Sequence, residues 1–276
     1  MRYSVAVSTF SDTKGMPVMV TCPSVEDLNY LKELNYCGVD LFVDDVSSDQ
    51  TSIITNLLRS CDLKVGVVMP ARLTKDNLFL GDQNIDIRKT AISKMKEIIR
   101  FSSTIGGMVS LGLIRGNVAS NETLINFEYR LADSIRELVK TARDCNVKLL
   151  IEPINRYEIN NINRLDEAIK FIRKYDLPIS IMADTFHMNI EETNLEDSLR
   201  NSLPYIEHIH FVDSNRYAPS MGHTNLESLY KILLMEQYHG YLCLETLPTD
   251  NWKYCASCGS KFFSRMEMKY LKFKSI

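Results

Sequence analysis

The sequence lacks the features that mark membrane proteins and nucleic-acid-binding proteins. No run approaches roughly 18 consecutive apolar residues, so no segment is predicted to cross a membrane. The formal net charge is −3, which leaves no basic surface for a nucleic-acid backbone. The first residues, MRYSVAVSTF, carry one arginine and no long apolar region, so we predict no secretory signal there. We therefore expect neither a membrane nor a nucleic acid among the partners of this chain.

The sequence also lacks a cysteine pattern that would indicate disulfides or structural zinc. Its seven cysteines are odd in number and scattered, which is typical of a reducing, cytoplasmic setting. Cys255 and Cys258 form a lone C-x-x-C pair, with no second pair and no histidine at zinc-finger spacing. We expect both to be plain thiols near the start of a helix.

What the sequence does have is a regular alternation of apolar runs with amphipathic stretches. No Gly-rich phosphate loop follows the first strand, which argues against a Rossmann fold. The predicted strands cover residues 2–8, 37–43, 64–70, 106–114, 147–153, 177–184, 206–212 and 241–245. The predicted helices cover residues 24–35, 50–61, 86–105, 121–144, 164–175, 195–202, 225–237 and 256–270, and residues 71–83 are expected to form a long loop over the barrel mouth. Ser24 and Asn121 are the predicted N-caps of their helices. Eight strand–helix units of roughly 35 residues each predict an α/β fold, a single (β/α)8 TIM barrel over residues 1–276.

Two histidines share one face of the seventh predicted strand, IEHIHFV. Successive side chains of a strand alternate, so His208 and His210 point the same way. The strand runs out at an Asp-Ser-Asn sequence, which puts His210 near its C-terminal end. Functional groups of barrel enzymes gather at that end of the strands. We expect His208 to be a core histidine one layer lower.

Three other predicted strands end in a carboxylate, at Glu152, Asp184 and Glu245. Together with His210 they follow one another at intervals of roughly 25 to 35 residues, so they belong to strands five to eight of the barrel. The C-terminal ends of these strands face a common mouth. Three carboxylates and one imidazole form an oxygen-rich site that suits Mn²⁺, Mg²⁺ or Co²⁺ better than structural zinc. We predict that the four residues bind one divalent cation, with Mn²⁺ as the first choice.

Four segments resemble known motifs: IEPINRYE at residues 151–158, ADTFHMNIEE at 183–192, HIHFVDSNRYAPSMGHTN at 208–225 and LETLP at 244–248. Together they resemble the sugar phosphate isomerase/epimerase group of the xylose isomerase-like TIM barrels, and most closely the ketohexose 3-epimerases of the D-tagatose/D-psicose type. The resemblance is specific over residues 147–248 and general before them. One turn departs from the usual Pro-Gly-x-Gly-His pattern, because Ser220 stands in place of the first glycine.

The resemblance implies a function and a set of site residues. It implies that one divalent metal is bound by Glu152, Asp184, His210 and Glu245, and that the sugar is held near its C1 and C2 oxygens by Glu158, His187 and Arg216. It also implies a homo-oligomer, a homodimer or homotetramer. We hypothesise that Glu152 and Glu245 are the catalytic residues, which flank the ketose on opposite faces. One removes the C3 proton and the other returns a proton on the opposite side, through an enediolate stabilised by the metal. The expected protein is a cytoplasmic, metal-dependent sugar isomerase that epimerises a ketose at C3.

Three alternative functions stay open at this point. An inosose isomerase or dehydratase would use the same site and differ only in its product. An endonuclease IV-like phosphodiesterase shares an Asp-Thr-x-His motif, but it needs more histidine ligands and a more basic surface than five histidines and a charge of −3 offer. A non-catalytic sugar-binding barrel is disfavoured because both Glu152 and Glu245 are present.

Four further residues are placed by their positions relative to the strands. Arg115 follows the fourth strand and is a candidate contact for an anionic end of a substrate. His223 follows the seventh strand and is a candidate neighbour of the site. We expect His239, which precedes the eighth strand, and Trp252, which follows it, to lie away from the chemistry.

Overall fold

Eight parallel strands close into a barrel in the computed structural model, which describes residues 1–270. The strands are β1 (Arg2–Ser8), β2 (Gly38–Val43), β3 (Lys64–Pro70), β4 (Met108–Ser110), β5 (Leu149–Ile151), β6 (Ser180–Asp184), β7 (Ile206–His210) and β8 (Tyr241–Leu244). Each strand pairs in parallel with the next, and β8 pairs with β1, with Tyr241 opposite Arg2 and Leu244 opposite Val5. A two-residue strand, Val20–Thr21, lies alongside β1. The predicted (β/α)8 TIM barrel is confirmed.

Helices surround the barrel between successive strands. They are α1 (Val25–Glu33), α2 (Asp49–Ser60), α3 (Ala71–Lys75), α4 (Ile85–Ile105), α5 (Leu124–Asp144), α6 (Leu165–Tyr175), α7 (Thr185–Glu191), α8 (Leu195–Ser202), α9 (Leu226–Met235) and α10 (Trp252–Tyr270). Ser24 caps α1 as predicted: its hydroxyl accepts from the N–H of Asp27, whose carboxylate accepts from the N–H of Ser24. Within residues 1–270, none of the helices has the length and apolar character needed to span a membrane.

Alternation along the strands separates two apolar cores. Side chains such as Val5 and Leu41 point outward into a large core between the strands and the helices. A smaller core inside the barrel contains Ala6, Phe42 and Leu150. The barrel interior also contains fully buried polar side chains, which an apolar core would not tolerate without partners. These polar side chains make up the candidate site and its support.

The loop predicted for residues 71–83 is wrong at its start, where residues Ala71–Lys75 form α3. A helix of about one and a half turns is too short to show a hydrophobic period. Its residues are otherwise ordinary helix formers, and Pro70 directly precedes it. The predicted position over the barrel mouth is retained, since Ala71 and Thr74 line the cavity described below.

The fourth strand is much shorter than the predicted range 106–114. Gly106 adopts a φ of 81° and ends α4, so the strand starts only at Met108. Leu113–Arg115 forms a 3-10 turn instead of extended chain. The apolar residues after β4 therefore belong to a turn and not to a strand. The buried side chain of Arg115 stabilises this turn by donating to the carbonyl of Gly112. The strands β1 and β3 have the predicted bounds, and those of the remaining strands differ from the predicted ones by at most three residues at either end.

Apart from α3, three helix starts differ from the prediction by more than one residue. One is that of α10, which begins at Trp252 and not at residue 256. The N-cap of α5 is Thr123, whose side chain accepts from the N–H of Asn126, and not Asn121, which accepts from the amide of Gln83. The helix α7 was not predicted at all. It follows β6 without a loop, because Oδ1 of Asp184 accepts from the N–H of Phe186 at 2.7 Å and so caps the helix.

Candidate functional site

The four predicted metal ligands meet at the C-terminal mouth of the barrel. Asp184 and His210 end β6 and β7, while Glu152 and Glu245 directly follow β5 and β8. All four side chains are buried, and one ligand atom from each lies within 4.8 Å of the others. Nδ1 of His210 lies 3.5 Å from Oε1 of Glu152, 3.5 Å from Oε2 of Glu245 and 3.7 Å from Oδ2 of Asp184. The barrel therefore brings together side chains that are far apart in sequence.

Several atoms at the centre of this cluster have no hydrogen-bond partner among the described residues. They are Nδ1 of His210, Oε1 of Glu152 and Oδ2 of Asp184, all fully buried. Buried polar atoms are normally satisfied, and buried carboxylates of like charge repel each other. One imidazole nitrogen and three carboxylate oxygens around a common point are the donors that a hard divalent cation takes. The residues present thus fit a cation.

The electrostatics of the cluster reflect this crowding. Burial, together with the charges of Glu152 and Asp184, raises the pKa of Glu245 to about 8. Burial acts to lower the pKa of His210, but the surrounding carboxylates, Glu245 first, outweigh it and raise that pKa well above its usual value. A cation at the centre would take over the charge balance that protons otherwise supply.

Arg216 links the cluster to the surrounding cavity. Its Nη2 donates to Oε2 of Glu245 at 2.6 Å, and its Nη1 donates to Oε1 of Glu158 at 3.4 Å. The guanidinium also lies 5.0 Å from the centre of the Phe186 ring. Arg216 is buried, and the charges of Glu245 and Asp184 outweigh burial to raise its pKa. Two of the three predicted sugar-binding residues, Arg216 and Glu158, are therefore in contact.

His187, on α7, is the third predicted sugar-binding residue, and its tautomer follows from a chain of hydrogen bonds. The N–H of Tyr157 donates to Oδ1 of Asn155 at 3.0 Å, so the amide nitrogen of Asn155 faces the other way. That nitrogen lies 2.8 Å from Oε1 of Glu158 and 2.8 Å from Nδ1 of His187 and donates to both. Nδ1 of His187 is then an acceptor, and its proton sits on Nε2. Nε2 lies 3.7 Å from Oδ2 of Asp184, so the N–H points at the cluster.

The cluster opens into a cavity of about 140 Å³ at the barrel mouth. Glu152, Glu245, Glu158, His187 and Arg216 line its polar side. Its other side is apolar, with Met16, Phe42, Met69, Leu113 and Ile154. A cavity of this kind, apolar with a few convergent polar groups, is typical of a small-molecule site.

Two residues that the sequence placed near the site, Arg115 and His223, have other roles, and His239 lies away from the site as expected. Arg115 does not reach the cavity, so its predicted contact with an anionic substrate is wrong. It is fully buried, and its guanidinium donates to the carbonyls of Gly112 and Glu152 and to those of residues 161 and 162. His223 lies on an exposed turn and bonds to Ser214. His239 lines a separate cavity at the N-terminal end of the barrel.

The predicted positions of the remaining isolated residues are confirmed. Trp252 packs edge-on against Tyr30 at 5.8 Å between ring centres, away from the cavity. Cys255 and Cys258 are free thiols in the first turns of α10. His208 is fully buried one layer below His210.

Two buried residues in contact with the site were not found from the sequence. Asp40, in the middle of β2, bonds to both His208 and His210, and Asn155 bonds to His187. A signal for Asp40 was available, because a single carboxylate interrupts the apolar run GVDLFV and carboxylates are almost never buried without a partner. Asn155 carries no comparable signal, since asparagine is common in loops.

The sequence of this barrel matches a known family model over residues 28–258, that of the xylose isomerase-like TIM barrel. The chain belongs to the xylose isomerase-like TIM barrel family. Within this family, the chain is 25% identical over 232 residues to the 3-dehydro-D-guloside 4-epimerase of Escherichia coli (strain K12), covering 80% of this chain and 86% of that protein. It is 38% identical over 117 residues to the D-psicose 3-epimerase of Enterocloster bolteae, covering 42% of this chain but only 39% of that protein.

A solved structure has a similar barrel fold. The D-psicose 3-epimerase from Clostridium cellulolyticum H10, solved with D-tagatose, superposes with a TM-score of 0.75 over 96% of this chain and 98% of that chain. The identity between the two is 19%, so this likeness shows the fold alone. The sequence relatives are epimerases, which belong to the isomerase class of enzymes.

Proposed function

We propose that the protein is a divalent-metal-dependent sugar epimerase that inverts the carbon next to a ketone, at C3 of a ketose. The observation that carries this proposal is the convergence of Nδ1 of His210 with oxygens of Glu152, Asp184 and Glu245 at the barrel mouth. The epimerase relatives support it, since their names, 3-dehydro-D-guloside 4-epimerase and D-psicose 3-epimerase, denote keto sugars as substrates. The natural partner would be a small-molecule sugar, and a homodimer or homotetramer is the proposed assembly.

The four converging residues would hold one divalent cation, Mn²⁺ first, with Mg²⁺ or Co²⁺ as alternatives. Bound there, the cation would act as a Lewis acid that stabilises the negative charge that develops on the sugar oxygens when the C3 proton leaves. Deprotonation next to a carbonyl by a carboxylate has a high barrier, so this stabilisation carries a large share of the catalysis.

The proposed proton transfers belong to Glu152 and Glu245. Both line the cavity. They follow β5 and β8, so they would approach a bound sugar from different sides. One removes the C3 proton, and the other delivers a proton to the opposite face, which inverts the carbon. The N–H on Nε2 of His187 and the guanidinium of Arg216 would donate to the sugar oxygens at C1 and C2. Glu158 would accept from a sugar hydroxyl while it holds Arg216 in place.

The test is exchange of the C3 proton in deuterated water. Glu152→Gln and Glu245→Gln should each keep the metal largely bound and abolish deuterium incorporation at C3 of ketoses, while the wild type incorporates it. Glu207→Gln is the matched control, because Glu207 lies at the N-terminal end of β7 and pairs with Lys148 there. If either site variant exchanges at a near-normal rate, the two-base mechanism is wrong. If the wild type loses no turnover after chelation, metal dependence is wrong.

A second candidate is inversion at C4 of a 3-keto sugar. It is favoured by the relative aligned over 80% of this chain, a 3-dehydro-D-guloside 4-epimerase. The chemistry is the same, since the carbon next to a ketone is inverted. A panel of ketoses, phosphorylated ketoses, 3-keto glycosides and inososes, assayed with Mn²⁺ and product analysis, separates these activities from an inosose isomerase or dehydratase.

A further inference from the structure

His210 is held from behind by a carboxylate on the far side of the barrel. Its Nε2 lies 3.1 Å from Oδ2 of Asp40, and the same oxygen lies 2.6 Å from Nε2 of His208. All three side chains are fully buried. Asp40 lies on β2 and the histidines on β7, so both hydrogen bonds cross the barrel interior between strands that do not pair with each other.

The two hydrogen bonds determine which nitrogen of each histidine carries the proton. A carboxylate only accepts, so Nε2 of His208 and Nε2 of His210 must both donate to Asp40. In a neutral imidazole, Nδ1 then has a lone pair and no hydrogen. The Nδ1 atoms of both histidines are buried with no hydrogen-bond partner among residues 1–270. At His208 a bare lone pair on Nδ1 is tolerated better than an unsatisfied N–H. At His210 the three carboxylates around Nδ1 mark that nitrogen as the one that faces the proposed cation.

The barrel makes room for this arrangement. A β-carbon on Gly66, in β3, would lie 2.7 Å from Oδ1 of Asp40 and 3.1 Å from Cε1 of His208. Any larger residue at position 66 would push Asp40 away from the histidines. Sγ of Cys243, in β8, lies within 4.8 Å of Asp40 and of both histidines. Strands β2, β3, β7 and β8 thus jointly shape a pocket for one carboxylate beneath the candidate site.

We propose that Asp40 is a positioning residue for the cation site: it holds His210 in the orientation and tautomer that present the Nδ1 lone pair to the cation, and His208 anchors Asp40 in turn. This inference rests on the proposed metal dependence. A carboxylate behind a metal-binding imidazole fixes the ring and raises its basicity, and its loss weakens metal binding by about 10- to 100-fold in other proteins.

A different use of the same residues is less consistent with the geometry. Ligand atoms of Asp40, His208, His210 and Cys243 also lie within 4.8 Å of one another and would allow a second ion. That ion would have to break the 2.6 Å hydrogen bond between Asp40 and His208. It would also require His210 to lose both ring protons and bridge two cations. Asp40 and His208 therefore position His210 for the one cation of the candidate site and do not bind a second ion.

The experiment compares the wild type with Asp40→Asn by calorimetric titration with Mn²⁺ on metal-free full-length chain. We expect one ion per chain in the wild type and an affinity about 10- to 100-fold weaker in Asp40→Asn. Glu192→Gln is the matched control, because its buried carboxylate accepts from the N–H of Leu165 and the hydroxyl of Ser198 and is not among the cavity-lining residues. It should keep the wild-type affinity within about twofold. Equal affinities for Asp40→Asn and wild type would overturn the inference while leaving the proposed function intact. Two ions per chain in the wild type, one of them lost in Cys243→Ser, would overturn it as well.

A second measurement needs no variant and therefore does not depend on whether Asp40→Asn folds. Long-range ¹H–¹⁵N spectra of ¹⁵N-histidine protein saturated with diamagnetic Mg²⁺ report the protonated nitrogen of each ring. We expect the proton of His210 and that of His208 on Nε2. A proton on Nδ1 of His210 would overturn the positioning role of Asp40. A wild type that binds no divalent cation in the titration would instead overturn the proposed function, and the inference with it.

Discussion

Gly112 leaves room for the carboxylate of Glu152: a β-carbon at position 112 would lie 2.8 Å from Oε2 of Glu152. Glycine at position 112 therefore keeps the space beside this carboxylate open. The lack of a side chain at Gly112, after β4, thus helps to set the position of Glu152, the candidate catalytic residue after β5.

We predict that Gly112→Ala lowers turnover by at least about tenfold, because displacement of a reacting group by a fraction of an ångström misaligns it with the substrate. The free energy of unfolding should change by less than about 1 kcal/mol, since the end of a side chain can move where backbone cannot. Steady-state kinetics and urea denaturation measure the two effects. Gly107→Ala, at the other end of β4, is the control and should alter stability without altering turnover. Normal turnover in Gly112→Ala would show that Glu152 tolerates displacement.

Arg115 is predicted to be one of the most sensitive positions for stability. Its guanidinium donates to four backbone carbonyls and to Oδ1 of Asn161, all in the segments that follow β4 and β5. Arg115→Met would leave these buried acceptors unsatisfied and should lower the free energy of unfolding by about 3 kcal/mol or more. Urea denaturation provides the measurement. Arg200→Met removes an exposed ion pair with Glu236 and should cost less than about 1 kcal/mol; similar losses for the two variants would contradict the role given to Arg115.

Ser220 occupies a backbone conformation that favours glycine. Its φ is 77°, in the left-handed region, at the turn where the ketose 3-epimerase pattern has glycine. Ser220→Gly should therefore raise the free energy of unfolding by about 0.5–1 kcal/mol, since the strain of a side chain there exceeds the entropy that glycine loses on folding. Thermal denaturation tests this. The matched change Ser228→Gly within α9 should lower stability by about 0.5 kcal/mol, and a loss of stability in both variants would argue against strain at Ser220.

The pair of Arg156 and Glu191 predicts a pH-dependent contribution to stability. Hydrogen bonds from the side chain and backbone of Arg156 lower the pKa of Glu191 below its usual value of 4.5. Because the folded-state pKa is lowered, the contribution is present above the unfolded-state pKa and is lost as the pH falls through the folded-state pKa.

Glu191→Gln should therefore cost about 1 kcal/mol at pH 7, a modest value because Arg156 is largely exposed. The difference from the wild type should stay constant between pH 6 and 8 and shrink below pH 4.5. Urea denaturation as a function of pH measures it, and Glu196→Gln in the first turn of α8 is the comparison. A difference that grows as the pH falls would contradict the assignment.

The elements that the sequence predicted well are those with a strong period or a strong boundary. The strand β3 and the helix α8 have the predicted bounds, because a continuous apolar run and a capped amphipathic stretch are local signals. The errors lie where the sequence pattern is too short to show a period, or where one residue belongs to two elements at once. The helix α3 is too short to show a period, and α7 is hidden by Asp184, which ends a strand and caps a helix at once.

The sequence by itself determined the barrel and the four side chains at its mouth. Each of those residues ends a strand, and parallel strands of one barrel end at the same rim, so spacing along the chain is enough to bring them together. Only the tertiary structure decided which buried residues contact these four side chains from inside the barrel. Asp40 contacts histidines 168 and 170 residues away because the closed barrel places β2 across the interior from β7. No periodicity along the chain encodes a contact across the interior, since it depends on how the closed strands are staggered and on the space that Gly66 leaves.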